Sequence, residues 1–416
     1  MNKPITQRNF FDPQTLVDPF DYYRDAHAEG VAIQHYPEMN TYVVYSYDLV
    51  AEATGRTDDF SNDFGALMGK SDPEIDAIVA EGWPNVATLL TADAPVHTRF
   101  RKLVNLAFSM PRVNAIEADM RTKVIELIET LSHERACEFV DEFAVPLPVA
   151  MIAQQIGLDN DPKQVKKWSD AAVDRFSQLI PRERELECAR SAVEFQHFIK
   201  GKIDERRANG GDDLLADLVA ARIDGVEPLN DAEIMSIMQQ FMVAGNETTT
   251  SVIAGALLQL IRNPDQMALA VAAAGGRDPK VMNNLVEEAL RYETPSAGMW
   301  RIVLRDCELG GVSIPKGAIL QIRYAAANRD PAKYENPDKF DIGRTNARTH
   351  LAFGKGIHMC VGNMLSRKEI AVAFDELLVR LGNFKIADED AIKILPNILL
   401  RGVTHLPITY EPLQQA

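Results

Sequence analysis

The sequence is poor in cysteine, and what it has is scattered. Cys137, Cys188, Cys307 and Cys360 are the four in 416 residues, with no CxxC pair among them. That excludes a disulfide framework and fits a reducing compartment. Long apolar runs are missing too. No stretch reaches the about 18 consecutive apolar residues that a membrane helix needs. The opening residues, Met-Asn-Lys-Pro-Ile-Thr-Gln-Arg-Asn-Phe, hold no apolar run able to act as a signal peptide or anchor. The expectation is a cytoplasmic protein without a membrane anchor. Positive charge is in deficit: 44 Lys and Arg against 60 Asp and Glu give a net charge of −16. Such a chain repels nucleic acid and anionic membrane surfaces, so neither is expected as a partner. With 46% hydrophobic and 25% charged residues, the composition is that of an ordinary globular protein. The length suits two or three ordinary domains or one large one.

What is present centres on residues 353–362, Phe-Gly-Lys-Gly-Ile-His-Met-Cys-Val-Gly. Cys360 sits in a glycine-rich turn, and a helical pattern follows over residues 363–381. A cysteine at the mouth of a helix feels the positive end of the helix dipole, which favours thiolate. Thiolate suits a soft metal centre. One cysteine flanked by glycines cannot close a zinc site, which needs four protein ligands. It can supply the single axial bond of a haem iron. The bland reading is a small buried hydrophobe, the common fate of a cysteine outside a disulfide.

The pattern Phe-Gly-x-Gly-x-His-x-Cys-x-Gly resembles the haem-ligand signature of the cytochrome P-450 monooxygenases, with all six fixed positions present. The resemblance implies a mainly α fold with small β-sheets, with the haem between a long central helix and the cysteine loop. It implies one domain over residues 1–416. The β-rich parts are expected mainly at 30–46, 299–323 and 398–412, the helical parts at 91–292 and 361–381.

Other stretches take their place in the same order as in that family. Around Pro95, Asp93 is a plausible N-cap, and His97 and Arg101, four apart, share one helix face. Alone they read as a solvated basic face; the resemblance assigns them to a haem propionate. Residues 60–90 read as a long irregular segment. Residues 111–225 read as mostly helical, with breaks at 159–162, at Pro181 and at 210–211. Residues 230–263 carry the longest periodic pattern. Asn230 and Glu233 form a capping-box signature, and a continuous helix there would span roughly 45–50 Å. Inside it, Ala244-Gly-Asn-Glu-Thr resembles the family's oxygen-binding groove. Small Ala244 and Gly245 leave room, and Glu247 with Thr248 handles protons. Glu288 and Arg291, with Arg344, resemble a structural network, and Arg301 a second propionate-binding arginine. Residues 311–323 read as a hairpin around Pro315 to Gly317.

The cofactor implied is haem b, iron protoporphyrin IX. Cys360 would be its metal ligand, His97, Arg101, Arg301 and His358 its propionate partners, and Phe353, Ala244 and Gly245 its neighbours. By correspondence, Leu89, Leu90, Gln240, Ala297, Gly298, Met299, Ile398 and Leu399 face the substrate. Most are apolar, which implies a hydrophobic small molecule. The activity implied is insertion of one oxygen atom of O2, hydroxylation first of all. Electrons would come from a separate ferredoxin or flavodoxin, with Arg99, Lys102 and Lys355 as candidate docking cations and Arg112 a weaker one. Two other readings stay open here: a peroxygenase using hydrogen peroxide, and a non-catalytic haem binder acting as electron carrier or sensor.

Overall fold

The computed structural model describes residues 3–65, 72–131, 134–155, 157, 162–177, 180–395 and 397–413. Of the helix breaks expected at 159–162, only the backbone of Pro162 lies within these residues, and it opens a helix, Pro162–Ser177. The chain divides into two compact units.

The first unit comprises Met1–Ser61, Ala118–Ala144 and Thr248–Ala416. Among the described residues it holds all the strands: β1 (Ile33–Tyr36), β2 (Thr41–Val44), β3 (Phe60–Ser61), β4 (Ala136–Glu138), β5 (Met299–Val303), β6 (Cys307–Leu309), β7 (Val312–Ile314), β8 (Ile319–Ile322), β9 (Leu381–Ile386), β10 (Lys393–Ile394), β11 (Val403–His405) and β12 (Pro407–Pro412). The main sheet runs β1-β2-β8-β5-β3, with β2 and β8 parallel and the other pairs antiparallel. Both faces are covered, and the residues around β2 alternate between them. Tyr42 and Val44 join one buried cluster with Leu320, Ile322 and Val50. Val43 and Tyr45 join another with Phe10, Tyr22 and Tyr23. Each such buried side chain contributes about 1.5–3 kcal/mol. The pleat explains why a run of apolar residues forms a strand here and not a helix.

The hairpin expected over residues 311–323 is not formed. β7 pairs with β6 instead, with Leu309 opposite Val312, while β8 joins β2 and β5. The two-residue turn is Gly310–Gly311, both with positive φ (56° and 78°). A tight hairpin turn of this hand needs that backbone twice, and glycine alone takes it without strain.

Helices of this unit include Pro279–Glu293 and Asn363–Arg380. The first starts where Asp278 accepts from the Lys280 and Val281 amides, with Pro279 in the first turn.

The second unit, Asn62–Glu117 and Val145–Glu247, is helical. Residues 60–90 are less irregular than expected: a helix, Pro73–Val79, is capped by Asp72, which accepts from Glu74 and Ile75. The helix Val96–Ala107 has Pro95 at its N-cap, not Asp93. The Asp93 carboxylate accepts from the Asn62 amide (2.9 Å), and its carbonyl takes the His97 amide (2.8 Å).

The capping box at Asn230 and Glu233 is formed. The helix it starts is not continuous to residue 263. It runs Asp231–Ala244, breaks at Gly245 and Asn246, and resumes as Glu247–Arg262. The reason is local. Ser169 Oγ donates to the Met242 carbonyl (3.1 Å), and Asn246 Nδ2 donates to Ser169 Oγ (2.7 Å). A carbonyl that the next turn would have used is satisfied from another helix, so the backbone can open there without an orphaned acceptor.

Candidate functional site

In the first unit, the cysteine loop is a tight backbone hairpin. The Cys360 amide donates to the Phe353 carbonyl (2.9 Å), and the Met359 amide to that of Gly356 (3.2 Å). Gly354 and Gly356 have φ of 67° and 75°, and a Cβ on Gly356 would stand 3.2 Å from the Thr54 carbonyl oxygen. Glycine is therefore required at both. Asn363, first residue of the helix Asn363–Arg380, donates from Nδ2 to the Cys360 carbonyl (2.7 Å). Cys360 is half-buried and outside any disulfide, just before a helix N-terminus. That is the setting for a thiolate ligand. Among the described residues no cluster of His, Cys, Asp or Glu could hold a metal by itself. A haem would bring its other metal ligands with it.

The unit places other expected residues nearby in the chain or in the fold. His358 lies half-buried in the 3-10 turn Gly356–His358. Arg301, on β5, is buried beside Tyr324, whose phenol pKa burial raises and the Arg301 charge lowers. Two expected substrate segments are joined: the Ala297 amide donates to the Leu399 carbonyl and the Arg401 amide to that of Pro295, both at 2.8 Å. Arg323 holds the Ile398 carbonyl. Gly298 and Met299 continue from Ala297 into β5.

Glu288, Arg291 and Arg344 form a buried network. Arg291 donates to both Glu288 oxygens (2.7 and 2.8 Å) and Arg344 Nε to one (3.2 Å). Glu288 and Arg291 are both 0% exposed.

In the second unit, His97 is buried on the helix Val96–Ala107 with Arg101 one turn on. Burial lowers its pKa, Arg101 lowers it further and Asp93 opposes. Leu89 is buried, and the Leu90 amide donates to Gln240 Oε1 (3.1 Å). Gln240 Nε2 donates to Thr88 Oγ1 (2.6 Å), so the amide expected to meet substrate is engaged at both ends by the 88–90 segment. Ala244 and Gly245 are exposed at the helix break, although the helices around it are buried. Glu247 opens the next helix. Burial raises its pKa, Asp170 and Asp174 add to the rise, and Lys166 opposes.

The docking cations divide. Arg99 is bound to Glu233 (2.6 and 2.9 Å) and to the carbonyls of Glu227 and Pro228, so its charge is neutralised within the chain. Arg112 is paired with Asp212 and Asp217. Lys102 and Lys355 are exposed.

Sequence reading missed Glu287, which accepts from His350 and Arg367 beside the cysteine loop. Its signal was the doubled acid at 287–288, one member of which had no assigned partner. It also missed Glu369, a buried acid whose pKa burial pushes up to about 8.

A mainly helical chain with one cysteine poised at a helix mouth fits the haem-thiolate class of proteins. Comparison with known proteins narrows it. The family model described as Cytochrome P450 matches residues 163–406. A 6-deoxyerythronolide B hydroxylase of Saccharopolyspora erythraea is 35% identical over 323 residues, 77% of either chain. A steroid C26-monooxygenase of Mycobacterium tuberculosis is 32% identical over 331 residues, 79% of this chain and 81% of that one. The structure of cytochrome P450 CYP109Q5 from Chondromyces apiculatus aligns with a TM-score of 0.85 at 30% identity, covering 99% of this chain and 98% of that one. The chain belongs to the cytochrome P450 family. It is an oxidoreductase, a monooxygenase of the family whose cofactor is haem. Among the described residues no helix is long and apolar enough to cross a membrane.

Proposed function

We propose that this monooxygenase hydroxylates a bulky apolar small molecule with one oxygen atom of O2, drawing electrons from a separate ferredoxin or flavodoxin. The observation that carries the reading is the Cys360 loop, whose two required glycines and helix mouth suit a thiolate ligand. When bound, the haem supplies dioxygen binding and one-electron chemistry. Cys360 is assigned as the iron ligand. Arg301, His358, His97 and Arg101 would supply charge-assisted hydrogen bonds to the haem propionates. Phe353 packs on the ligand loop, and Ala244 and Gly245 leave open space where the helix parts. Thr248 would offer its hydroxyl as a hydrogen-bond donor at the oxygen-binding side. Glu247, with its raised pKa, holds a proton nearer neutral pH than an exposed glutamate and passes it on. A peroxide-driven reaction needs no such acid–alcohol pair, and its presence supports the O2 reading.

The apolar Leu89, Leu90, Ala297, Met299, Ile398 and Leu399 fit a hydrophobic substrate, and two relatives are named for a steroid and for 6-deoxyerythronolide B. Gly298 lets β5 pack closely there, since a Cβ would stand 2.6 Å from Arg323 Nη1 and 2.7 Å from the Ile322 carbonyl oxygen. Exposed Lys355 stands among exposed Ile357, Met359 and Met364. A charged rim on an apolar centre suits a small acidic electron donor. Lys102 is a second exposed cation for it.

The test is the carbon monoxide difference spectrum of the reduced protein, followed by a steroid and macrolide panel read by spin-state shift. The expected result is a red-shifted Soret band that Cys360→Ser abolishes. A parent protein lacking that band overturns the assignment of Cys360.

A further inference from the structure

We propose that Glu287 is a positioning residue for the haem ligand: through Arg367 and His350 it holds both peptide groups of Cys360 and the two residues that open its loop. The inference rests on Cys360 being the iron ligand.

Glu287 lies on the buried face of the helix Pro279–Glu293 and is 2% exposed. Arg367 grips it with a fork, Nε to Oε1 at 2.8 Å and Nη2 to Oε2 at 3.1 Å. His350 Nε2 lies 3.1 Å from Oε2. The other ring nitrogen, Nδ1, accepts from the Ala352 amide at 3.1 Å. A backbone N–H can only donate, so Nδ1 carries no proton and the ring is the neutral Nε2–H tautomer. His350 is thereby a fixed strut between Glu287 and Ala352. Burial lowers its pKa and agrees with the neutral form. The charge balancing Glu287 comes from Arg367, with exposed Arg348 at 3.6 Å. Burial alone would raise the Glu287 pKa, but the bonds from His350 and Arg367 bring it down to about 2.

Arg367 then carries the constraint onward in two directions. Its guanidinium lies 4.5 Å above the Phe353 ring. The Phe353 carbonyl accepts the Cys360 amide at 2.9 Å. Its Nη1 donates to Asn363 Oδ1 at 2.9 Å, and Asn363 Nδ2 donates to the Cys360 carbonyl at 2.7 Å. Both the N–H and the C=O of Cys360 are therefore held by groups that Arg367 touches. Neighbouring Glu288 does something else: it ties Arg291, Arg344 and the Asp341 amide. Two adjacent acids on one helix divide the work.

The test uses the haem-loaded protein. Three variants are compared with the parent: Glu287→Gln, Arg367→Lys and Glu293→Gln. Arg367→Lys keeps the charge but loses the fork and the flat stack. Glu293 is a control, a buried acid of the same unit whose partners are Gln259 and Arg401. Two readouts are taken: the lifetime of the red-shifted carbon monoxide complex, and haem transfer to an apo-globin scavenger. Outer partners of metal ligands typically change metal affinity by about 10–100-fold. We expect Glu287→Gln to shorten the lifetime and speed haem loss by about tenfold or more. Arg367→Lys should fall between it and the parent, and Glu293→Gln should match the parent in both. If Glu287→Gln does not fold, Arg367→Lys decides alone. Parent-like lifetimes in Glu287→Gln and Arg367→Lys, or an equal loss in Glu293→Gln, overturn the proposal. A parent without the red-shifted band overturns the Cys360 assignment instead.

Discussion

Two acids of the first unit, Glu287 and Glu369, are equally removed from water, and their pKa values move in opposite directions. Glu287 is 2% exposed and Glu369 3%. Glu287 meets a guanidinium fork and a histidine N–H, and its pKa falls to about 2. Glu369, on the helix Asn363–Arg380, meets no cation, and its Oε2 has no hydrogen-bond partner among the described residues. Its pKa rises to about 8 from burial alone. Burial raises a carboxyl pKa, and a hydrogen-bonded cation reverses the shift. Glu287 meets its guanidinium beside the cysteine loop, and Glu369 stands further along the helix that follows that loop.

The largest effect should come from removing a partnered acid. Glu288→Ala leaves Arg291 and Arg344 without their carboxylate in a buried site, and breaking such a pair costs about 3–5 kcal/mol. Thermal unfolding of the haem-loaded protein should show that loss. A drop under about 1 kcal/mol would sink the view that partnered acids hold this side of the unit.

The acid without a cation should behave the other way. Its folded pKa of about 8 stands above the unfolded value of 4.5. A raised carboxyl pKa stabilises fully below 4.5, and the contribution is lost as pH rises toward 8, because the unfolded chain releases a proton that the fold keeps. Glu369→Gln should flatten the fall of stability between pH 5 and 8 and leave the variant more stable than the parent at pH 8, by up to a few kcal/mol. For Glu287 the sign reverses: its folded pKa near 2 gives stability above pH 4.5 that is lost as pH falls toward 2. Melting temperatures across pH 3–8 for both Gln variants check the two windows together. A Glu369→Gln curve parallel to the parent would break the comparison.

Much of this was legible in the residues, and what was not has a physical reason. The hairpin of β1 and β2 follows from alternation, and the capping box at Asn230 from its own chemistry. Local signals predict local structure. The break at Gly245 and Asn246 was hidden because its cause, Ser169, lies 73 residues from Met242 in the chain. The β6–β7 hairpin was legible in Gly310–Gly311, but the turn at Pro315 to Gly317 gave a competing signal. Arg99 looked like a surface cation because nothing in a linear pattern announces Glu233 as its partner. Glu287 was masked by its neighbour: the pattern that flagged Glu288 made the acid before it look like helix surface.

A smaller effect is expected at the helix break. Ser169→Ala removes the donor to the Met242 carbonyl and the acceptor of the Asn246 amide. An unsatisfied buried group costs about 1–3 kcal/mol. Beyond the stability loss, the freed carbonyl should favour winding the helix through Gly245, so the fraction of consumed O2 appearing in product should fall. Full coupling in Ser169→Ala would mean that the opening is held by other contacts.

The smallest effect concerns charges at the surface, where the same rule of partners applies. Arg99 is joined to Glu233 by two bonds, whereas Lys355 is exposed on the cysteine loop beside exposed Ile357 and Met359. A cation already neutralised by its own chain offers little field to an incoming acidic donor; an exposed one steers the encounter and is screened by salt. Lys355→Glu should therefore slow reduction by ferredoxin severalfold at low ionic strength, with the difference closing as salt approaches about 0.5 M. Arg99→Gln should leave that rate unchanged while lowering the melting temperature, since it breaks an internal tie. Stopped-flow reduction at several salt concentrations distinguishes them. Equal slowing in both variants would mean that pairing inside the chain does not remove a cation from the docking field.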